Sequence, residues 1–183
     1  MVQKLLRPYQ RLVKTKYFTA RISGPDPKVS PQLAGNIEAK RQRQKTFLEV
    51  LATLKNFEIY YGHYLGKVVE CHSCGRTWPD NEEKMTDVNI ATELLTDAFE
   101  DRFDTALLIS GDSDFVPAIR ALKRLFPQKL VVVFFPPSRF SAQLKNAVDI
   151  QFTIGRRTLA KSQFPDKVAK TDGHILERPR EWH

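Results

Sequence analysis

Two short apolar runs, Thr105–Ser110 (TALLIS) and Lys129–Phe135 (KLVVVFF), constrain the fold more than any other part of the sequence. A strand with one wet face alternates polar and apolar residues. These runs do not alternate, so both of their faces should be buried. Between them stands Gly111-Asp112-Ser113-Asp114, a turn by composition. A helical pattern over Phe115–Phe126 follows, with Asp114 as its expected cap and Pro117 in the first turn, where a missing amide is tolerated. Strand, helix and strand in that order predict two adjacent parallel strands joined by a right-handed crossover. Helices must then cover both faces, so the expected fold class is α/β, with three layers around a mainly parallel central sheet.

The rest of the chain repeats that alternation. KYFTARI (Lys16–Ile22) reads as a strand, and the Pro- and Gly-rich stretch Ser23–Pro31 as a loop. Gln32–Lys55 carries Leu33, Ile37, Phe47, Leu48, Leu51 and Leu54 at helical spacing. Phe57–Leu65 returns to strand character, and Gly66–Asp80 reads as a polar insertion. A helix is expected from Asp87 to Asp101, with Thr86 as N-cap and Asp87 at the positive end of the helix dipole. Ser141–Val148 predicts a short helix and Asp149–Ile154 a last strand. At 183 residues the chain suits one domain, here 1–160, followed by a C-terminal tail over 161–183.

No apolar stretch approaches the roughly 18 residues needed to span a bilayer, and Leu130–Phe135 ends at Pro136-Pro137. The start has no apolar centre or small-residue cleavage site of a signal peptide. A soluble, cytoplasmic protein with no membrane partner is expected. Lys and Arg total 29 against 21 Asp and Glu, a net charge of +8, which favours a polyanion such as RNA as partner. The basic residues gather in the first 25 residues and in Lys40, Arg41, Arg43 and Lys45 on the long helix. Tyr60, Tyr61 and Tyr64 offer rings for base stacking or for the core. Cys71 and Cys74 form one Cys-x-x-Cys pair. A zinc site within one chain would need His63 and His72, and His72 lies awkwardly between the two cysteines. A tight turn at Ser73–Gly75 with two reduced thiols is the expectation.

In an open parallel sheet, ligands bind beyond the carboxyl ends of the strands. The turn after TALLIS sits at such an end, and the helix from Asp87 should begin on the same edge. Asp87, Asp112 and Asp114 are therefore expected to converge. Clustered carboxylates repel unless a hard cation joins them, and Mg²⁺ or Mn²⁺ suits such oxygen ligands.

EKMTDVNIATELLTDAF (Glu83–Phe99) with TALLISGDSDFVPAIRAL (Thr105–Leu122) resembles the core of NYN-domain proteins, members of the PIN-like superfamily of metal-dependent ribonucleases. KYFTARI, FEIYYGHYLG and SQFPDKV are similar to the same family, so the resemblance spans nearly the whole chain. It implies a PIN-like three-layer fold and RNA hydrolysis with Mg²⁺ or Mn²⁺. Asp87, Asp112 and Asp114 match catalytic, metal-binding acids, while Lys84, Ser110 and Ser113 fall at neighbouring, substrate-side positions. Family members open with a strand that ends in a further aspartate. No Asp or Glu precedes Asp26 in this sequence, and no strand precedes Leu5-Leu6. The expectation is of a longer natural chain or a degenerate homologue, with a homodimer or partner chain covering the edge that the missing strand leaves.

Two functions follow: a metal-dependent ribonuclease weakened by the missing N-terminal acid, or a non-catalytic RNA-binding or regulatory protein of the same family. A serine hydrolase built on Gly111-Asp112-Ser113 would need a partner histidine. Its candidate, His174, stands in Asp172-Gly173-His174, one residue short of the Asp-x-x-His pattern. A haloacid-dehalogenase phosphatase is disfavoured by Phe115 after the second aspartate.

Overall fold

The structure, a computed structural model, describes residues 1–25, 27 and 29–182. Asp26 and Lys28 of the expected Ser23–Pro31 loop lie outside the described residues. The elements in chain order are β1 (Thr15–Ala20), α1 (Pro31–Ala52), β2 (Phe57–Glu70), β3 (Thr77–Lys84), α2 (Thr86–Phe99), β4 (Thr105–Ile109), α3 (Val116–Leu125), β5 (Leu130–Phe135), α4 (Ala142–Ala147), β6 (Ile150–Thr153), α5 (Arg156–Ala160), β7 (Lys167–Ala169) and β8 (Ile175–Glu177). The fold is α/β. None of the described helices is long and apolar enough to cross a membrane. The chain forms two compact units, Met1–Val13 with Asp87–Gln163, and Lys14–Thr86 with Phe164–His183.

In the first unit, β4, β5 and β6 form a parallel sheet with β5 at its centre. TALLIS and KLVVVFF are adjacent and parallel, in register from Thr105↔Leu130 to Ile109↔Phe134. β5 is buried on both faces. Val131, Val133 and Phe135 pack with Ala98 of α2, Ile119 and Leu122 of α3, and Leu144 and Ala147 of α4. Val132 and Phe134 face the other way, against Ile154, Leu159 and Leu5. Each fully buried Val, Leu, Ile or Phe among them contributes about 1.5–3 kcal/mol by leaving water. β4 departs from expectation. It is an edge strand of its three-stranded sheet, so its residues are half-buried and Ile109 is 36% exposed.

Polar groups fasten the start of β5. Lys129, 3% exposed, reaches out of the core: its ammonium donates to Asp101 Oδ1 at 2.5 Å and to the Phe103 carbonyl at 2.6 Å. Asp149 accepts from Lys123 Nζ at 2.7 Å and from the Val131 amide at 2.9 Å. Burial works to raise the Asp149 pKa. The Lys123 and Val131 hydrogen bonds outweigh that effect and hold it below its usual 3.8.

In the second unit, β1 pairs with β2 in parallel and β2 with β3 antiparallel. The expected polar insertion Gly66–Asp80 is in fact a β-hairpin, because β2 runs on to Glu70 and β3 returns from Thr77. The strands approach so closely at Gly62 that a Cβ there would lie 2.3 Å from the Lys84 carbonyl oxygen. Ser30 caps α1 by accepting from the Leu33 amide. The helix buries Leu48, Val50 and Leu51, and its Phe47 meets Tyr17 edge-on at 6.1 Å. Gln44 grips the end of β1, donating to the Ala20 carbonyl and accepting from the Ile22 amide, both at 2.8 Å. The residues expected as a tail also fold. β7 and β8 form an antiparallel hairpin, and Phe164 and Trp182 set their rings against Phe47 at 6.4 and 6.1 Å. Three aromatic rings meeting there give this segment an anchor that its mixed composition hides.

Lys129→Ala should lower the free energy of unfolding by about 2–3 kcal/mol, since it strands the Phe103 carbonyl and deletes two charge-assisted bonds. Urea denaturation checks this, and a shift under about 0.5 kcal/mol would contradict the role assigned to Lys129. Because the Asp149 pKa is depressed on folding, its stabilisation is complete above the usual 3.8 and is lost as pH falls through the lower folded value. Asp149→Asn should therefore flatten the acid limb of a stability-versus-pH curve below about pH 4.

Candidate functional site

The five residues after β4 form a locally determined turn. Ser110 Oγ accepts from the Asp112 amide at 3.1 Å, and Asp112 Oδ1 accepts from the Asp114 amide at 3.0 Å. Asp112, in extended backbone, caps a 3-10 turn over Ser113–Phe115 that feeds into α3. The capping residue is thus Asp112 rather than the expected Asp114. An Asx turn satisfies the amide nearest to it, and Phe115 is then buried as an anchor behind the turn. Asp112 and Asp114 are exposed, and Ser113 is half-buried.

Gly111 lets a second loop approach. A Cβ at this position would stand 2.9 Å from the Cβ of Arg139 and 3.2 Å from its carbonyl carbon. Since β4 and β5 are parallel, their carboxyl ends lie side by side, and the loop after β5 brings the exposed Arg139 against the aspartate turn. Arg139 was missed in the sequence, although the strand-end rule that picked out Asp112 applies equally to the residues after KLVVVFF. Asp87 is exposed in the first turn of α2. Five residues after α2, β4 begins, and Ile90, Leu94 and Leu95 of the helix pack on the core beneath the sheet. Lys84 belongs to the other unit. It ends β3, with its ammonium 2.5 Å from Glu82 Oε1.

Residues 3–159 match the NYN domain. The chain belongs to the NYN domain family. A solved structure that this NYN domain resembles is a protein of unknown function from Vibrio parahaemolyticus. The two are 24% identical, with 79% of this chain and 70% of that chain covered, at a TM-score of 0.49. No curated protein matches the chain. NYN domains are generally nucleases of PIN-like fold, and such nucleases typically use divalent metals.

The donor chemistry of this NYN domain suits such an ion, because exposed carboxylate oxygens are hard ligands. The ligand count does not. Among the described residues no three His, Cys, Asp or Glu side chains form a group able to hold a metal ion. Asp87, Asp112 and Asp114 are not assembled into such a group.

The cysteine pair closes the far end of the β2–β3 hairpin. Cys71 N donates to the Arg76 carbonyl and Gly75 N to the Cys71 carbonyl, both at 2.8 Å, and Gly75 takes the left-handed φ of 68° that the turn requires. Both cysteines are free thiols. The Ser73 amide, then the amide and thiol of Cys74, donate toward the Cys71 sulfur and lower its pKa. Asp172 also serves a turn: its Oδ1 accepts from the His174 amide at 2.9 Å, which holds that carboxyl below its usual value.

Gly111→Ala should force the Arg139 loop outward and cost about 1–3 kcal/mol, the range for overpacking a tightly fitted position. Thermal unfolding measures the loss. An unchanged midpoint would show that the two loops do not depend on this approach.

Proposed function

We propose that this NYN domain acts on RNA as a phosphodiester hydrolase whose own carboxylates fall short of a full ligand set, so that binding outruns cleavage. The observation that carries the reading is the fixed Ser110–Asp114 turn at the carboxyl end of a parallel strand, with Arg139 against it. Arg139 gives a phosphate a planar, always-charged donor. Asp112, aimed by its bond to the Asp114 amide, presents its remaining lone pairs beside that phosphate. Two bare carboxylates repel a phosphodiester, and the acids in place form no cage for the cation that would relieve the repulsion. Slow cleavage follows.

The basic surface supports RNA as the target. The Arg21 guanidinium lies 4.1 Å from the centre of the Tyr61 ring and Lys16 5.4 Å from that of Tyr60, while Phe18 stacks on Tyr60 at 5.0 Å. Cations over rings on adjacent strands suit a chain that alternates phosphates and flat bases. On α1, Arg41 is paired with Glu38 and Arg43 with Glu181, whereas Lys40 and Lys45 are exposed to solvent. These two lysines are the proposed backbone-binding groups of the helix. The missing three-ligand group also favours a second reading, an RNA-binding NYN domain with no cleavage at all.

Fluorescence anisotropy with a single-stranded RNA should show affinity falling steeply with salt. Lys40→Ala/Lys45→Ala should shallow the slope by up to about 1.4, roughly 0.7 for each phosphate that a lysine no longer neutralises. Salt-independent binding, or none at low ionic strength, would sink the proposal. Asp112→Asn should leave RNA affinity within about twofold while reducing any Mg²⁺- or Mn²⁺-stimulated cleavage by about a hundredfold or more. Cleavage indistinguishable from background in the unaltered chain selects the second reading.

A further inference from the structure

The β2–β3 hairpin carries two free cysteines, Cys71 and Cys74, at its end. Beyond Tyr64 the hairpin is clothed by little else. Leu65, Val68 and Trp78 are 53%, 74% and 44% exposed, and residues 72–78 are all exposed. Cys71 and Cys74 sit on the closing turn, where the Ser73 and Cys74 amides face the Cys71 sulfur. Hydrogen bonds to a ligating atom fix its orientation and temper its charge, as the outer partners of metal ligands do. The turn is built for this spacing, since its left-handed residue is Gly75, directly after the second cysteine.

We propose that Cys71 and Cys74 bind Zn²⁺, or another thiophilic divalent cation, jointly with the same two cysteines of a second copy of this chain. Two thiolates leave a tetrahedral ion two ligands short. Among the described residues no third His, Cys, Asp or Glu joins them, so the chain does not complete the site within itself. A two-fold axis through the ion supplies the missing pair from an identical turn, and an interface of this kind must be self-complementary. The hairpin face behind the turn meets that demand. The pairings Leu65↔Glu82, Lys67↔Asp80 and Val69↔Trp78 put Leu65, Val69 and Trp78 on one face with charges of both signs between them, Lys67 lying 3.3 Å from Glu82. Arg76, next to each cysteine turn, offsets part of the double negative charge of a four-thiolate centre. Four thiols lose protons to solvent as the four metal–sulfur bonds form. No oxidant takes part. This inference is independent of the proposed RNA chemistry, because none of its residues belongs to the aspartate turn.

Titrating the full-length, reduced chain with Co²⁺ tests it. The expected result is the sulfur-to-cobalt charge transfer and intense visible bands of a tetrahedral four-thiolate ion, saturating at one metal per two chains and displaced by Zn²⁺. Light scattering should show the mass double with Zn²⁺ and halve with chelator. Cys71→Ser and Cys74→Ser should each abolish both signals while circular dichroism stays unchanged. Trp78→Ala should retain the cobalt spectrum while weakening the dimer by about tenfold, as loss of a buried aromatic anchor does. One metal per monomer, doubling that survives both cysteine variants, or no binding at micromolar metal would overturn the inference.

Discussion

The first unit depends on β5 having no wet face. Val131, Val133 and Phe135 point one way and Val132 and Phe134 the other, so apolar material has to arrive on both sides. Helices α2, α3 and α4 supply one layer, and Leu5, Ile154 and Leu159 supply cover on the other. With helices occupying the connections, the neighbouring strands run parallel, because a crossover returns the chain to the end where it began. Parallel strands collect their carboxyl ends on one edge. The place where chemistry can occur is thus a consequence of where water cannot go.

At that edge, two demands compete for one side chain. Asp112 is called on to cap the turn into α3 and, in the function proposed, is also the residue that meets a ligand. The structure resolves the competition by division: Oδ1 takes the Asp114 amide, and the carboxylate's other lone pairs remain for a further partner. The cap serves the ligand-binding role too, because a carboxylate tied to backbone loses little further rotamer entropy when a partner arrives. Ser110 extends the same arrangement by holding the Asp112 amide. Gly111 contributes by lacking a side chain, which lets the backbone and Cβ of Arg139 approach the turn.

Much of this was legible because it is local. Continuous apolar runs give buried strands, helical spacing gives α1 and α3, and Ser-Gly-Asp-Ser-Asp gives a turn whatever surrounds it. The exceptions are tertiary. Gly66–Asp80 reads as a polar insertion because Lys67, Glu70 and Asp80 are hydrophilic, yet a hairpin exposed on both faces needs no apolar alternation. TALLIS reads as an interior strand, but its composition reports two apolar faces and says nothing about neighbours along the hydrogen-bonding direction. The tail folds on Phe47 through Phe164 and Trp182, a pairing of residues far apart in sequence that no periodicity announces. In the candidate site, Asp112 and Asp114 could be read from their strand end, whereas Arg139 depended on knowing that the loop after β5 closes over Gly111.

The division between aim and number decides what the aspartate turn can do. Aim is already set, because Ser110 and the Asp114 amide fix the Asp112 carboxylate before any ligand binds. Number is the limiting quantity, since a hard divalent cation gives up hydration only when several charged oxygens replace it. A site limited by aim would need the backbone rebuilt. A site limited by number gains function when one more oxygen reaches the same edge, whether from a side chain or from a phosphate of the bound RNA. In the function proposed, Arg139 favours the second source, because a phosphate bound by its guanidinium would lie beside the two acids and add no carboxylate to the repulsion. On that proposal the substrate would contribute to the cation's shell, and affinity for RNA and for the ion would rise together.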